Sequence, residues 1–594
     1  MKSLSALNKY LIKYKWRLIL GTLFVVISNA FAIFPAEIFR KGIDEVAAAL
    51  EKQKLTGTFN DELYTTLFQY GLIILGSALL KGLFLFFMRQ TIIVMSRLIE
   101  FDLKNEIYSH YQQLDLAFYK RNKTGDLMAR ISEDVSQVRM YLGPAIMYSI
   151  STVTLFVMIL TQMILIHPML TLYVVLPLPI LAVAVYLINS KVITMSDLVQ
   201  KQLSTISSYV QEFFSGIRVV RGYNRTDAEI LRFQSEAEQY KIRNLQLVRI
   251  NALFAPVMVF LIGLSTIITI YIGGLKVYSG EITTGVIAEF VIYVTMLTWP
   301  VASIGWVTAI IQRAAASQIR INEFLDVQSS FKSPANAKSI NQIGEISFDD
   351  VSFVYADSGT KALNNVSFQI KSGQSLGIIG RTGSGKSTIA QLLMRLYDPN
   401  EGRILINDVP LKSIDINAFR QQVAYVPQEV FLFSETIFNN IAFGIQKDFK
   451  GDLKQAVVEA AQMADIHDSI LGFPQGYQTI LGERGINLSG GQKQRISIAR
   501  AMIRKPSILI LDDCLSAVDT LTEERILGNL EQVLNNQTTI IISHRISSVL
   551  LCEEIIALEL GEIIEKGNHN QLLEKNGYYT SIFQQQNFEK KYTE

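Results

Sequence analysis

Six apolar runs recur through the first half of the chain, near 18–39, 67–87, 141–166, 169–188, 252–272 and 286–311. Each reaches the roughly 20 residues with which a helix crosses a ~30 Å hydrocarbon core. A backbone in lipid must satisfy its own polar groups, so these runs commit the first half to a bundle of about six transmembrane helices in a bilayer. The first run follows several lysines and contains "NAFA", as a cleavable signal would. Its spanning length and the runs that follow favour an uncleaved first helix.

The composition agrees: 49% of the 594 residues are apolar and only 18% are charged, low for a soluble protein. A chain of this length also needs at least two cores. Lys and Arg (55) nearly cancel Asp and Glu (53), so no nucleic-acid-binding surface is expected. Two cysteines, Cys514 and Cys552, are too few for a disulfide framework and read as buried, inert thiols.

Long, charged stretches of helical pattern follow the second run, near 89–139, and the fourth, near 190–250. The remaining connections are short, apart from an acid-containing loop around 45–62. The basic N-terminus, Arg89, Arg97, Arg313 and Arg320 fall on one side, which the positive-inside rule makes cytoplasmic. The protein is therefore expected in the cell membrane with both chain ends on the cytoplasmic side. We expect a transmembrane domain over 1–325, a polar linker over 326–345 punctuated by Pro334 and Gly344, and an α/β domain over 346–594, where short β-rich runs alternate with helical ones.

The second half carries the chemistry. "GRTGSGKST" places Gly380, Arg381, Thr382, Gly383, Ser384, Gly385, Lys386, Ser387 and Thr388 in the spacing G-x-x-x-x-G-K-[ST], between a strand-like and a helical run. Such glycines turn backbone N–H groups toward phosphate oxygens, and the following helix adds its dipole. The lysine reaches the β/γ-phosphates and the serine hydroxyl can ligate Mg²⁺. Nucleoside triphosphate binding follows, with Mg²⁺ beside the phosphates. Asp512, ending the apolar run "SILILD", is placed to hold the same metal.

"LSGGQ", Leu488, Ser489, Gly490, Gly491 and Gln492, resembles the signature of ABC ATPases, which other P-loop families lack. The rest of that family's set stands around it. Tyr355 resembles the aromatic that stacks on adenine, and Gln428 the Q-loop glutamine that senses Mg²⁺ and the attacking water. "LGERG" at 481–485 is similar to an exporter-specific loop, "SAVD" ending in Asp519 to the D-loop, and His544 to the switch histidine on the γ-phosphate. The two long charged stretches resemble the intracellular loops of ABC exporters, each of which carries a short coupling helix.

The resemblance covers essentially the whole chain: a half-transporter of the type IV class, which includes multidrug and lipid exporters. It implies an all-α six-helix transmembrane domain followed by a P-loop α/β nucleotide-binding domain with ABC-specific β and α subdomains. It also implies a second half-transporter as partner. In the family each signature serves the ATP on the opposite subunit, so two ATPs are sandwiched between two chains. The resemblance implies outward movement of hydrophobic or amphipathic small molecules or lipids by alternating access.

One departure stands out. The family usually has glutamate, which positions the attacking water, where this chain has Asp513. One methylene less sets the carboxylate back by roughly 1 Å, enough to slow hydrolysis about 10²-fold. The pattern resembles the degenerate-site subunit of a heterodimer. A homodimer working with Asp513 and a regulatory or ATP-gated subunit are the alternatives. For the substrate cavity the candidates are Asn29 and Glu289, because polar groups within a membrane are costly and mark pathways. Lys81 and Arg89, late in the second run, are expected to snorkel to the interface, and Trp299-Pro300 to form a packed kink.

Overall fold

The computed structural model describes residues 2–593 apart from 57–61, 330, 332–333, 335–336, 341–342, 446–448, 483–484, 486 and 535–536. The chain divides into two compact units. The first comprises residues 1–113 and 124–328, the second residues 114–123 and 329–594.

The first unit is helical. Among the described residues, six spans in it are long and apolar enough to cross a membrane: Lys15–Lys54, Leu63–Tyr111, Thr124–Ile166, Pro168–Ser215, Thr226–Tyr278 and Thr284–Leu325. Each has at least 40 residues, far more than the roughly 20 that a bilayer requires, so the charged stretches continue the spans as helix. The sixth span is the bundle's central member: half of its most apolar window is buried, against a third or less in the others. Phe290, Tyr293, Val294 and Leu297 on it join Ile159, Met163, Leu178 and Leu181 in one apolar core. Leu79, Leu165, Val259 and Phe260 face outward, as lipid contact requires.

Short helices interrupt the long ones at Leu116–Arg121 and Ile217–Gly222. The first is capped by Asp115, whose side chain accepts from the Phe118 N–H at 2.8 Å. It clusters with the second unit because Leu116 and Ala117 pack on that unit's apolar core and Arg121 pairs with Asp357 at 2.6 Å.

The second unit is built on two sheets. Strands β1 (Ile346–Val354), β2 (Lys361–Ile370), β4 (Glu401–Ile406) and β5 (Val409–Pro410) form an antiparallel sheet in the order β2-β1-β4-β5. Strands β3 (Ser375–Ile379), β6 (Val423–Val426), β7 (Ile508–Asp512), β8 (Thr538–Ser543), β9 (Glu554–Glu559) and β10 (Glu562–Gly567) form the other, ordered β10-β9-β3-β8-β7-β6. β9, β3, β8, β7 and β6 run parallel, and only β10 is antiparallel. β3, β7 and β8 are buried along their whole length, which is why their central residues read as apolar without alternation. Parallel strands bring all their C-terminal ends to one edge, where open α/β sheets bind ligands.

Candidate functional site

That edge is where the sequence motifs converge. β3 runs into the glycine-rich loop, β6 leads to Gln428, β7 ends in Asp512 followed by Asp513, and β8 leads to His544. Together with Tyr355 these residues line a cavity of about 280 Å³. Gly385 caps the helix Lys386–Leu393 with φ near 97°, in the left-handed region, and a Cβ there would lie 2.2 Å from the Ala362 carbonyl oxygen. Only glycine lets the loop turn its N–H groups into the cavity at this point. The Lys386 ammonium donates to the Gly380 and Arg381 carbonyls, each at 2.8 Å. Burial holds that ammonium below its usual range.

Two carboxylates sit side by side with different partners. Asp512 is buried and accepts from the Ser387 hydroxyl at 2.9 Å and from the Tyr425 hydroxyl at 3.1 Å. Asp513 has a positive φ of 47°, and its N–H donates to the Ile542 carbonyl at 2.8 Å. Its Oδ1 lies 2.8 Å from His544 Nδ1, and its Oδ2 accepts from Gln428 Nε2 at 3.2 Å. Both oxygens are thus engaged by site residues. Tyr355 on the cavity wall is held at its hydroxyl by Thr388 and Gln391, each at 3.1 Å.

The signature residues lie outside this cavity's lining. Ser489 caps the helix Gly490–Met502 in a capping box with Gln492, so the N-terminal N–H groups of Gly490 and Gly491 stand at a positive helix end. Asp519 caps the following turn, accepting from the Thr522 N–H at 3.0 Å. Leu481 is buried, whereas 483–484 of "LGERG" lie outside the described residues.

Three groups carried no signal in the sequence. Tyr425 is one, since nothing in a β-strand tyrosine announces a carboxylate partner. The others are a buried carboxylate and its half-buried partner behind the site: Arg545 donates to Glu523 at 3.1 Å and to the Ser516 carbonyl of "SAVD" at 3.0 Å. Glu523, only 2% exposed, also accepts from the Ser548 hydroxyl. Removing this acceptor strands buried donors. Glu523→Ala should therefore cost about 2–3 kcal/mol and lower the unfolding midpoint by several degrees in a thermal melt, with Glu523→Gln less affected.

The two cysteines are buried, and burial pushes the Cys552 thiol up to about 12 and the Cys514 thiol up as well. In the membrane unit, Asn29 donates to the Ser151 carbonyl at 3.1 Å and to the Thr154 hydroxyl at 2.6 Å. Glu289, 1% exposed, pairs with Arg40 at 3.2 Å and accepts from Tyr293 at 2.7 Å. Both side chains are spent on helix-to-helix or local contacts. A separate cavity of about 240 Å³ lies between the fourth and sixth spans, lined by Tyr186, Asn189, Thr194, Ile304, Thr308 and Gln312 among others.

Residues 18–301 match the family described as ABC transporter transmembrane region, and residues 363–516 that described as ABC transporter. A probable multidrug resistance ABC transporter ATP-binding/permease protein, YheI of Bacillus subtilis, is 35% identical over 574 residues, 96% of each chain. The chain belongs to the ABC transporter family. This ABC transporter chain is also 33% identical to an ATP-dependent lipid A-core flippase of Syntrophus aciditrophicus, over 91% of this chain and 89% of that one. Its fold is similar to that of a bacterial Atm1-family ABC exporter solved with ATP bound, with a TM-score of 0.79 and 26% identity over 96% of this chain and 99% of the other. It is accordingly a multi-pass membrane protein of ABC exporter fold that binds ATP and couples its hydrolysis to transport.

Proposed function

We propose that this chain is one half of an ATP-driven exporter of hydrophobic or amphipathic small molecules or lipids, and that its own ATP site is the weak one of a heterodimeric pair. The observation that carries the second part is the aspartate itself: Asp513 is a methylene shorter than the usual glutamate, and both its oxygens are taken up by His544 and Gln428. The signature helix keeps its glycines and its cap, as a chain that completes a partner's working site requires. The relatives, a probable multidrug resistance transporter and a lipid A-core flippase, support the substrate class.

Placement at one sheet edge supports the following roles. Tyr355 stacks on adenine, and the loop 380–388 wraps the phosphates with Lys386 on the β/γ oxygens. The Ser387 hydroxyl and the Asp512 carboxylate, 2.9 Å apart, are hard oxygen donors that suit Mg²⁺, with Gln428 beside them. When bound, Mg²⁺ neutralises charge on the transferring phosphoryl group. Asp513 orients the attacking water, and His544 stands at the γ-phosphate. Leu488, Ser489, Gly490, Gly491 and Gln492 serve the ATP on the partner, and Asp519 lies at the junction. ATP binding then closes two such domains and turns the membrane cavity outward, and hydrolysis resets it. The ATP-binding region and both chain ends lie on the cytoplasmic side of the cell membrane.

ATP-dependent accumulation of an amphipathic dye or labelled lipid in inverted vesicles tests export. Uptake that requires Lys386 is the expected outcome. Brisk ATP hydrolysis without movement of any compound would instead support a regulatory or gating subunit.

A further inference from the structure

The helix Tyr578–Thr593, near the end of the chain, belongs to none of the nucleotide motifs, yet it touches two of them. Its start is fixed. The Glu565 carboxylate on β10 accepts from the N–H groups of Tyr578 at 2.7 Å and Tyr579 at 2.9 Å, satisfying two donors that a helix start leaves free. Tyr579 is fully buried, with its hydroxyl 2.8 Å from His569 Nδ1. From this anchor the Tyr578 hydroxyl accepts from the Arg381 N–H of the phosphate loop at 3.3 Å.

Gln586 lies eight residues further along, about 12 Å by the helical rise. Its Nε2 donates to the His544 carbonyl at 2.7 Å, and its Oε1 accepts from the Ile546 N–H at 2.9 Å. Residues 544–546 join β8 to the short turn Ser547–Val549 and lie in neither a strand nor a helix. Their polar groups need outside partners. One carboxamide supplies a donor and an acceptor together, bracketing Arg545, as a neighbouring strand would.

We propose that Gln586 is a positioning residue for ATP hydrolysis, clamping the backbone on both sides of Arg545 so that the His544 imidazole stays against Asp513. It rests on the role given above to His544. A looser clamp lets the imidazole drift, and a drift near 1 Å is enough to slow turnover. Glutamate at 586 keeps the shape but loses the donor to the His544 carbonyl, so it too is defective. The Tyr578 contact fixes the same helix to the phosphate loop and gives the clamp its footing.

The test uses the full chain in nanodiscs, in the natural form and with Asp513→Glu. Gln586→Ala should lower kcat about 10-fold, with TNP-ATP affinity unmoved and the thermal midpoint lowered by no more than a few degrees. On a His544→Ala background the same change should add less than about two-fold, because both act through one imidazole. Unchanged turnover would overturn the proposal, and so would a loss that multiplies fully with His544→Ala. Collapse of nucleotide affinity and of the melt would make Gln586 a folding residue and overturn it too, with Gln586→Glu checking whether a milder change does the same. If both parent forms are silent, the roles given to Asp513 and His544 fail, and the role of Gln586 in turnover falls with them. That pattern is distinct from failure of the clamp, in which the Asp513→Glu parent turns over normally.

Discussion

Asp513→Glu raises ATP hydrolysis by this chain, expressed alone in nanodiscs, by about 10²-fold over the natural form, with Lys386→Ala as the blank. The reason is reach. Asp513 follows β7 directly with a positive φ, and its N–H is tied to Ile542, so the backbone cannot advance to make up for a short side chain. Its carboxylate already receives His544 on one oxygen and Gln428 on the other. A further methylene carries the carboxylate forward by roughly 1 Å, the scale on which misplacement alters rates by orders of magnitude. ATP binding should change little, since Lys386, the loop glycines and Asp512 are untouched. A natural form that already turns over briskly, with no gain from glutamate, would show that aspartate suffices and that two copies of this chain make a working transporter.

Much of this site was legible because its chemistry is local. The spacing from Gly380 to Ser387 dictates a phosphate loop wherever a strand precedes it and a helix follows, and β3 and the helix Lys386–Leu393 supply that context. Asp512 and His544 follow apolar runs that the structure makes parallel strands, so one edge gathers them. The six apolar runs marked the spans but not their lengths. Polar stretches extend the helices well past any bilayer, and hydropathy is blind to them.

What the sequence concealed was long-range pairing. No pattern says that Asn29 meets Ser151 and Thr154, or that Glu289 meets Arg40, because a polar residue on an apolar helix reads alike whether it faces a cavity or a neighbouring helix. The segment 114–123 reads as part of a charged helical stretch. It clusters with the ATP-binding unit through Leu116, Ala117 and Arg121, whose partners are more than 200 residues away. Lys120 there stands 5.3 Å from the centre of the Tyr355 ring, a cation–π contact with no sequence signature. Tyr425, Glu523 and Gln586 escaped notice for the same reason.

Gly491→Asp in this chain should cut ATP turnover by the assembled transporter at least about 10²-fold, while TNP-ATP affinity at the loop 380–388 stays as it was. Gly491 lies in the first turn of the helix Gly490–Met502, where N–H groups and the helix dipole favour an anion. A carboxylate planted there answers that field itself and repels a phosphate. Space is short as well, since a Cβ at 491 would lie 2.8 Å from the Ala517 carbonyl oxygen. Gln494 binds the same segment, donating to the Ser516 hydroxyl at 3.2 Å and accepting from the Ala517 N–H at 3.0 Å. The signature and "SAVD" therefore shift together, and Gly491→Ala isolates the steric share. If this chain completes a partner's productive site, the same substitution in the partner, whose signature faces the weak Asp513 site, costs far less. Equal losses from either chain would mean that the two sites share the work, and an unchanged rate would remove the signature from catalysis altogether.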